Sequence, residues 1–172
     1  IHTLHITRRR ISIPSVGYAG YVRDGIGYIQ HGDFIEGSYN EVRSALEMLM
    51  ASDTLRGLIL DYRSNGGGVM QGAVDIASLF VPRGSEVVST RAKDSANNST
   101  LRTQTEPIDT EITLVVLVDG NSASAAEIVS GAIQDYDRGV LIGQRTYGKG
   151  LVQTSLPTGY DTFVKVTTAK YY

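Results

Sequence analysis

Two short apolar runs, each followed by a loop and then by a helical pattern, constrain this fold most strongly. The first is Gly57-Leu58-Ile59-Leu60, and the second extends from Ile112 to Asp119. Continuous Val, Leu and Ile without polar alternation is typical of strands buried on both faces of a sheet. Apolar residues at helical spacing follow both loops: Ala73, Ile76, Ala77 and Phe80 after the first, and Ile128, Val129, Ala132, Ile133 and Tyr136 after the second. Two such units in series predict an α/β domain with a mixed, partly parallel sheet and flanking helices.

The remaining segments complete this prediction. The clearest helix runs from Ser38 to Ala51, with Ser38 as its N-cap and Glu41 as its capping-box partner. Further strands are predicted at both ends of the chain and between the helices, at 1–13, 25–31, 86–90, 139–143 and 162–172. The polar segment from Arg91 to Thr110 has no periodicity, which favours a surface excursion or hairpin over a gate for substrate.

Length and composition exclude several classes of protein. With 172 residues and 41% hydrophobic content, the chain can bury one sizeable core, and we expect one main domain. A net charge of −2 offers no basic field for nucleic acid or an anionic membrane surface. Cysteine is absent, which removes disulfides, thiolate nucleophiles and cysteine-ligated metals. The apolar runs are far shorter than the roughly 20 residues of a membrane-spanning helix.

The loop after the first apolar run, Asn65-Gly66-Gly67-Gly68, is rich in glycine. Successive glycines allow positive φ angles and turn backbone N–H groups toward a ligand without side chains in the way. A phosphate-binding loop of the Walker type would end in Gly-Lys-Ser or Gly-Lys-Thr, whereas this loop continues with Val69-Met70-Gln71. An oxyanion hole fits the loop better than a phosphate site, and a plain tight turn stays open as the alternative.

The loop after the second run leads into a helix at Ser122-Ala123-Ser124-Ala125-Ala126-Glu127. A serine at a helix N-terminus lies at the positive end of the helix dipole, and the N–H of Ala125 faces the same direction. Both features favour a developing negative charge. Ser124 and Glu127 also have the spacing of a capping box, so the serine is either a nucleophile or only a cap.

A nucleophilic serine needs a base, and the histidines are poorly placed to supply one. His2, His5 and His31 all occur early in the chain, away from any nucleophile signal. Among the lysines, Lys149 stands out because Gly148 and Gly150 flank it and apolar residues follow. A lysine acts as a base when desolvation or neighbouring positive charge lowers its pKa from about 10.4 toward neutrality. Gln153, four residues on, is uncharged and suited to orient that lysine.

Together these motifs resemble the C-terminal processing, or tail-specific, serine peptidases. The resemblance rests on four segments, namely Gly57 to Asp61 with Asn65 to Gly68, Ser122 to Glu127, Gln134-Asp135, and Thr146 to Gln153. It implies a crotonase-like (ClpP/crotonase-type) core with Ser124 as nucleophile, Lys149 as general base and Gln153 as the residue that orients the lysine. Backbone N–H groups of Ala125 and of Gly67 or Gly68 would form the oxyanion hole, and Asp135 would have a supporting role. No metal or organic cofactor is implied.

The resemblance also carries expectations about the whole protein. Residues 1–13 are interpreted as the last strand of a preceding PDZ domain, which would recognise the C-termini of polypeptide substrates, and residues 14–172 as a C-terminally truncated peptidase core. The family implies an extracytoplasmic location, in the bacterial periplasm or cell envelope. Gly66 stands where the family often has proline, and Ala126 where it has serine.

The leading hypothesis is therefore a serine endopeptidase that cleaves polypeptides near exposed, apolar C-termini. One alternative is a catalytically idle relative that binds an apolar ligand or peptide. Another is a crotonase-like enzyme acting on an acyl thioester, for which no basic cluster suited to the phosphates of coenzyme A is evident. No nucleic-acid partner and no membrane span are predicted.

Overall fold

A computed structural model describes residues 4–5, 7–8, 11, 13–52 and 54–172. The predicted strand over residues 1–13 lies largely outside the described residues. The helices and strands, in chain order, are β1 (Val16–Arg23), β2 (Ile26–His31), α1 (Ser38–Met50), β3 (Gly57–Asp61), α2 (Met70–Ala77), β4 (Glu86–Ala92), β5 (Ser99–Arg102), β6 (Thr113–Val118), α3 (Ala125–Asp135), β7 (Val140–Gly143), β8 (Leu151–Gly159) and β9 (Thr162–Tyr171).

The main sheet has five strands in the order β1-β2-β3-β6-β7. Strands β2, β3, β6 and β7 run parallel, and β1 pairs antiparallel with β2 at the edge. In the centre, Leu60 lies opposite both Ile29 and Val116, and all three side chains are fully buried. The predicted α/β fold with a mixed, partly parallel sheet is confirmed. The apolar runs are buried because they form adjacent central strands.

The three predicted helices are present, with one correction at the start of α1. Val42, Ala45, Leu46 and Leu49 are buried, as the periodicity indicates. The predicted Ser38–Glu41 capping box is wrong, because Gly37 is the N-cap residue, at φ 88°. The Glu41 carboxylate instead accepts the N–H groups of Ser15 and Val16, at 2.7 and 3.1 Å. The carboxylate thus stabilises the segment that leads into β1, because its backbone N–H groups would otherwise lack these partners.

A second sheet of four antiparallel strands, in the order β5-β4-β9-β8, completes the domain. The segment from Arg91 to Thr110 contains the end of β4 and the whole of β5, so the predicted hairpin is confirmed. Strands β8 and β9 form a long hairpin whose side chains are mostly exposed. Within the described ranges, no helix combines the length and apolar character that crossing a membrane requires.

This topology determines where the two glycine- and serine-containing loops meet. Because β3 and β6 are adjacent and parallel, their carboxyl ends lie side by side, which is where open α/β sheets bind ligands. The loop after β3 and the loop leading into α3 are therefore neighbours.

Candidate active site

The two neighbouring loops are joined by hydrogen bonds. Ser122 is fully buried, and its hydroxyl donates to the carbonyl of Tyr62 at 2.8 Å. The N–H of Ala123 donates to the carbonyl of Asn65 at 2.9 Å. Asp119 accepts the N–H of Ser64 at 3.0 Å. These contacts hold the segment before Ser124 at a fixed position against the glycine loop.

Ser124 has a strained backbone at the start of α3. Its φ and ψ angles are 55° and −114°, a region that side-chain-bearing residues rarely occupy. Only 8% of the residue is exposed. A serine on a strained strand-to-helix turn is the geometry of a nucleophile elbow, although the local sequence lacks the Gly-x-Ser-x-Gly pattern. The structure thus places Ser124 in a conformation that capping alone does not require.

The predicted oxyanion donors surround this serine. Ala125 is the first residue of α3, where a helix leaves its N–H group without an internal partner. Gly67, at φ 89°, lies so close that an added Cβ atom would be 2.5 Å from the carbonyl oxygen of Ala123 and 2.8 Å from the nitrogen of Ala125. Among the described residues, the N–H groups of Ala125 and Gly68 have no hydrogen-bond partner, whereas that of Gly67 donates to the Asn65 side chain at 2.8 Å.

One carboxylate connects Ser124 to the segment that carries Lys149. Glu127 accepts the N–H of Ser124 at 2.8 Å, of Gly148 at 2.6 Å and of Lys149 at 2.9 Å. Burial raises the pKa of Glu127, but these three bonds and one from the Thr146 hydroxyl outweigh it and leave the pKa below its ordinary value. Sequence reasoning recognised Glu127 only as a capping partner, because its bonds to residues 148 and 149 are long-range.

Lys149 borders two cavities, one shared with Ser124 and one shared with Gln153. Ser124 and Lys149 line one cavity of about 320 Å³. Lys149 also lines an adjacent cavity with Gln153. Across the described chain, no hydrogen bond joins Lys149 to either side chain, and no carboxylate forms an ion pair with it. Ser124, Lys149 and Gln153 therefore border two neighbouring cavities.

The cavity beside Ser124 is mostly apolar. Its walls include Val88, Ile128, Gly131 and Ala132. Asp135, the last residue of α3, contributes an exposed carboxylate to the same cavity. Asp135 makes no ion pair with another described residue.

Sequence reasoning missed Tyr171, which lines the same cavity as Ser124. Burial raises the pKa of Tyr171, and its backbone N–H donates to the carbonyl of Gly150 at 2.9 Å. The pairing of β9 with β4 and β8 brings this residue to the nucleophile. No local motif could have revealed it.

The histidines take no part in this site. His31 is fully buried, with its ring 4.5 Å from that of Phe34 and 5.5 Å from that of Tyr62. Burial lowers its pKa to about 4. His5 is exposed, and His2 lies outside the described residues. In the ranges that the structure covers, no group of three or more His, Asp or Glu side chains is arranged to hold a metal ion.

The fold and the serine at the helix N-terminus define the class as a crotonase-like α/β domain with a site suited to acyl transfer. The family model for "Peptidase family S41" matches residues 25–172, and the chain belongs to that family. The predicted family is thereby confirmed. The comparisons favour neither the ligand-binding nor the acyl-thioester alternative.

Named relatives agree with this assignment. The chain is 35% identical over 172 residues to a carboxy-terminal-processing protease of Bartonella bacilliformis, covering 98% of this chain and 39% of that protein. It is 37% identical to a carboxyl-terminal-processing protease of Synechocystis, covering 96% of this chain and 39% of the relative. A solved photosystem II D1 C-terminal processing protease superposes with a TM-score of 0.80 at 32% identity, covering 96% of this chain and 45% of that one. The chain thus spans less than half the length of these relatives.

Proposed function

We propose that the protein containing this chain is a serine endopeptidase that uses a Ser124–Lys149 dyad to cleave polypeptides near exposed, apolar C-termini. The observation that carries the proposal is the Glu127 carboxylate, which bonds to the backbone of both Ser124 and Lys149. A single partly buried carboxylate thereby couples the turn that carries Ser124 to the segment that carries Lys149. The names of the relatives, which are carboxy-terminal processing proteases, support the same reaction class.

In this mechanism the neutral amine of Lys149 accepts the proton of Ser124 while Oγ attacks the scissile carbonyl carbon. The resulting oxyanion accepts hydrogen bonds from Ala125 N–H and from the glycine loop, at the positive end of the α3 dipole. The tetrahedral intermediate collapses as the Lys149 ammonium protonates the leaving amine. Water then hydrolyses the acyl-enzyme, with Lys149 again as the base. The reaction uses only these groups and needs no metal or organic cofactor.

Lys149 must be uncharged to act as the base. Lys149 is half-buried, and no carboxylate of the described chain forms an ion pair with it. Substrate that fills the cavity would exclude water from the site. Gln153 would orient the amine by a neutral hydrogen bond. Catalytic hydrogen bonds are often long before substrate binds, and closing the Ser124–Lys149 contact is the change that we assign to substrate binding.

The apolar cavity indicates the kind of side chain that the site accepts. A volume of about 320 Å³ lined by Val88, Ile128 and Ala132 suits an aliphatic side chain of the substrate. Recognition of the substrate C-terminus is assigned to a PDZ domain that residues 1–13 would complete, with residues 14–172 as the catalytic core. We further propose an extracytoplasmic location, periplasmic or in the cell envelope, in keeping with relatives from bacteria and chloroplasts.

Cleavage of an unstructured protein with an apolar C-terminus tests this proposal. The full-length protein is compared with its Ser124→Ala and Lys149→Ala variants, each checked for folding by circular dichroism. We expect both variants to lose cleavage and the wild type to cleave a substrate with a charged C-terminus more slowly. Equal cleavage by wild type and Lys149→Ala would refute the dyad.

A further inference from the structure

Asn65 is a completely buried side chain that joins three segments around the nucleophile. Its Nδ2 donates to the carbonyl of His31 at 2.7 Å, and its Oδ1 accepts the N–H of Gly67 at 2.8 Å. Its backbone carbonyl accepts the N–H of Ala123 at 2.9 Å. The end of β2, the glycine loop and the turn before Ser124 are thus all bonded to this one residue.

The orientation of the Asn65 amide is determined by its partners. A flipped amide would place its NH₂ group against the N–H of Gly67 and its oxygen against the carbonyl of His31. Both contacts would be repulsive in a site from which water is excluded. The Asn65 side chain is therefore fixed, and the N–H of Gly67 is turned toward it.

The next peptide group is fixed from the opposite side. The carbonyl of Gly67 accepts the N–H of Phe34 at 3.1 Å, and Val69 N–H donates to the carbonyl of Phe34 at 2.7 Å. In a trans peptide the C=O and the following N–H point in opposite directions. The N–H of Gly68 therefore points away from Phe34, and it has no hydrogen-bond partner among the described residues.

The geometry points to Asn65 as the positioning residue of the oxyanion hole. It engages the N–H of Gly67 and thereby leaves Gly68 and Ala125 as the two donors to the oxyanion. Gly67 contributes through its missing side chain, since a Cβ atom there would collide with Ala123 and Ala125. This assignment rests on the proposed peptidase function. Of the two predicted glycine donors, the N–H of Gly67 is occupied by Asn65, and the N–H of Gly68 is available to the oxyanion.

Amide hydrogen exchange resolved by residue tests the positioning without reference to catalysis. We expect the N–H of Gly67 to be protected and those of Gly68 and Ala125 to exchange rapidly. In Asn65→Ala the protection of Gly67 should fall at least tenfold. Ser130→Ala is the matched control, because Ser130 is also buried and loses one hydrogen bond, to the carbonyl of Ala126, elsewhere in α3. Unchanged exchange at Gly67 in Asn65→Ala would overturn the assignment.

Steady-state kinetics of the full-length protein tests the catalytic consequence. Loss of oxyanion stabilisation in Asn65→Ala should lower kcat by about 10²- to 10³-fold, with KM within about threefold of the wild-type value. Asn65→Ser should restore part of kcat, because a serine hydroxyl can accept the same N–H two residues on. A loss of kcat no larger than that of Ser130→Ala, or a loss confined to KM, would contradict the assignment. If Asn65→Ala does not fold, Asn65→Ser is measured in its place.

The two measurements separate this inference from the proposed function. If the wild type cleaves no polypeptide while Gly67 protection depends on Asn65, the peptidase proposal fails and the positioning of the glycine loop stands. If the wild type cleaves and Gly67 protection does not depend on Asn65, the peptidase proposal stands and the role of Asn65 is wrong.

Discussion

The proposed nucleophile, Ser124, and the proposed base, Lys149, are held in contrasting ways. Ser122, Ala123 and Asn65 form buried hydrogen bonds that attach the turn before Ser124 to the core of the parallel sheet. The segment from Gln144 to Gln153, which carries Lys149, is mostly exposed and continues into the exposed β8–β9 hairpin. It is attached through backbone bonds, above all those of Gly148 and Lys149 to Glu127.

This difference indicates how the site is assembled. The turn that carries Ser124 and the proposed oxyanion donors are organised by the folding of the core itself, which would support catalysis by fixed dipoles. The segment that carries Lys149 is attached by a smaller set of contacts, and no hydrogen bond joins the Lys149 side chain to Ser124 among the described residues. Substitutions in the core loops should therefore affect both stability and activity, whereas those in the Lys149 segment should affect chiefly activity.

The largest effect should come from Gly67→Ala. Its Cβ atom would lie 2.5 Å from the Ala123 carbonyl and 2.8 Å from Ser124 Cβ, at a backbone φ of 89°. The two loops must separate, so we expect a loss of activity of at least 10³-fold and a loss of roughly 2–4 kcal/mol of stability. Gly66→Ala is the control, since an added Cβ there meets no atom within 4 Å. Similar losses in both variants, measured by cleavage and chemical denaturation, would contradict the packing argument.

A smaller effect is expected from Glu127→Gln, which tests the link between the two regions. A glutamine keeps the shape but cannot accept from all three N–H groups, because its NH₂ group must face one of them. We expect a loss of about 1–3 kcal/mol of stability and a larger loss in kcat than in substrate affinity.

The pH dependence provides the control for this substitution. Because the folded pKa of Glu127 is depressed, the stability it contributes is present above its ordinary pKa and is lost as the pH falls through the folded value. Glu127→Gln should lack that acid-dependent component. If the wild type and the variant lose stability identically below pH 5, Glu127 does not stabilise the fold by this charge.

His31 should give the core region a second pH dependence. Its pKa is about 4 in the fold against 6.5 for an ordinary histidine, because burial disfavours the charged ring. Between these values the unfolded chain binds the proton and the folded chain does not, so stability falls as the pH decreases from 6.5 to 4. The full loss is about 3 kcal/mol. His31→Phe should remove this slope in denaturation curves, and substitution of the exposed His5 should leave it unchanged.

The smallest effect concerns the cavity beside Ser124. Gly131 lines it from the middle of α3, and an added Cβ atom would meet no atom within 4 Å. Gly131→Ala should raise stability by about 0.5–1 kcal/mol, as glycine is unfavourable within a helix. Gly131→Leu should fill the cavity and lower kcat/KM for peptides with large apolar side chains before the scissile bond more than for those with alanine. An equal decrease for both peptides would show that this cavity does not select the side chain.

The sequence predicted the elements whose stability is encoded locally or by continuous apolar character. Strands β2, β3, β6 and β7 and all three helices agree with their predicted segments to within a few residues. Strands β1 and β8 were not predicted, because their residues are largely exposed and their pairing comes from distant partners. The predicted Ser38–Glu41 capping box was wrong for a related reason, because the Glu41 side chain bonds instead to the distant backbone of residues 15 and 16.

The candidate site shows the same difference between features that the local sequence encodes and contacts that depend on distant partners. The meeting of the two loops followed from adjacent parallel strands, local motifs singled out Ser124 and the glycine loop as candidates, and their catalytic roles came from the family resemblance. The contacts that give the site its geometry join residues far apart in sequence, namely Asn65 with His31 and Glu127 with Lys149. Such contacts depend on the tertiary structure, and no single-sequence pattern specifies them.

The most direct test of the Ser124–Lys149 dyad is to map the adduct of a serine-reactive fluorophosphonate by peptide mass spectrometry, in the full-length protein and its Lys149→Ala variant. We predict an adduct on Ser124 and none on the buried Ser122. Labelling should be lost in Lys149→Ala, while the circular dichroism spectrum is retained. Equal labelling of Ser124 in the variant, or an adduct on another serine, would contradict the assignment of Lys149 as the base.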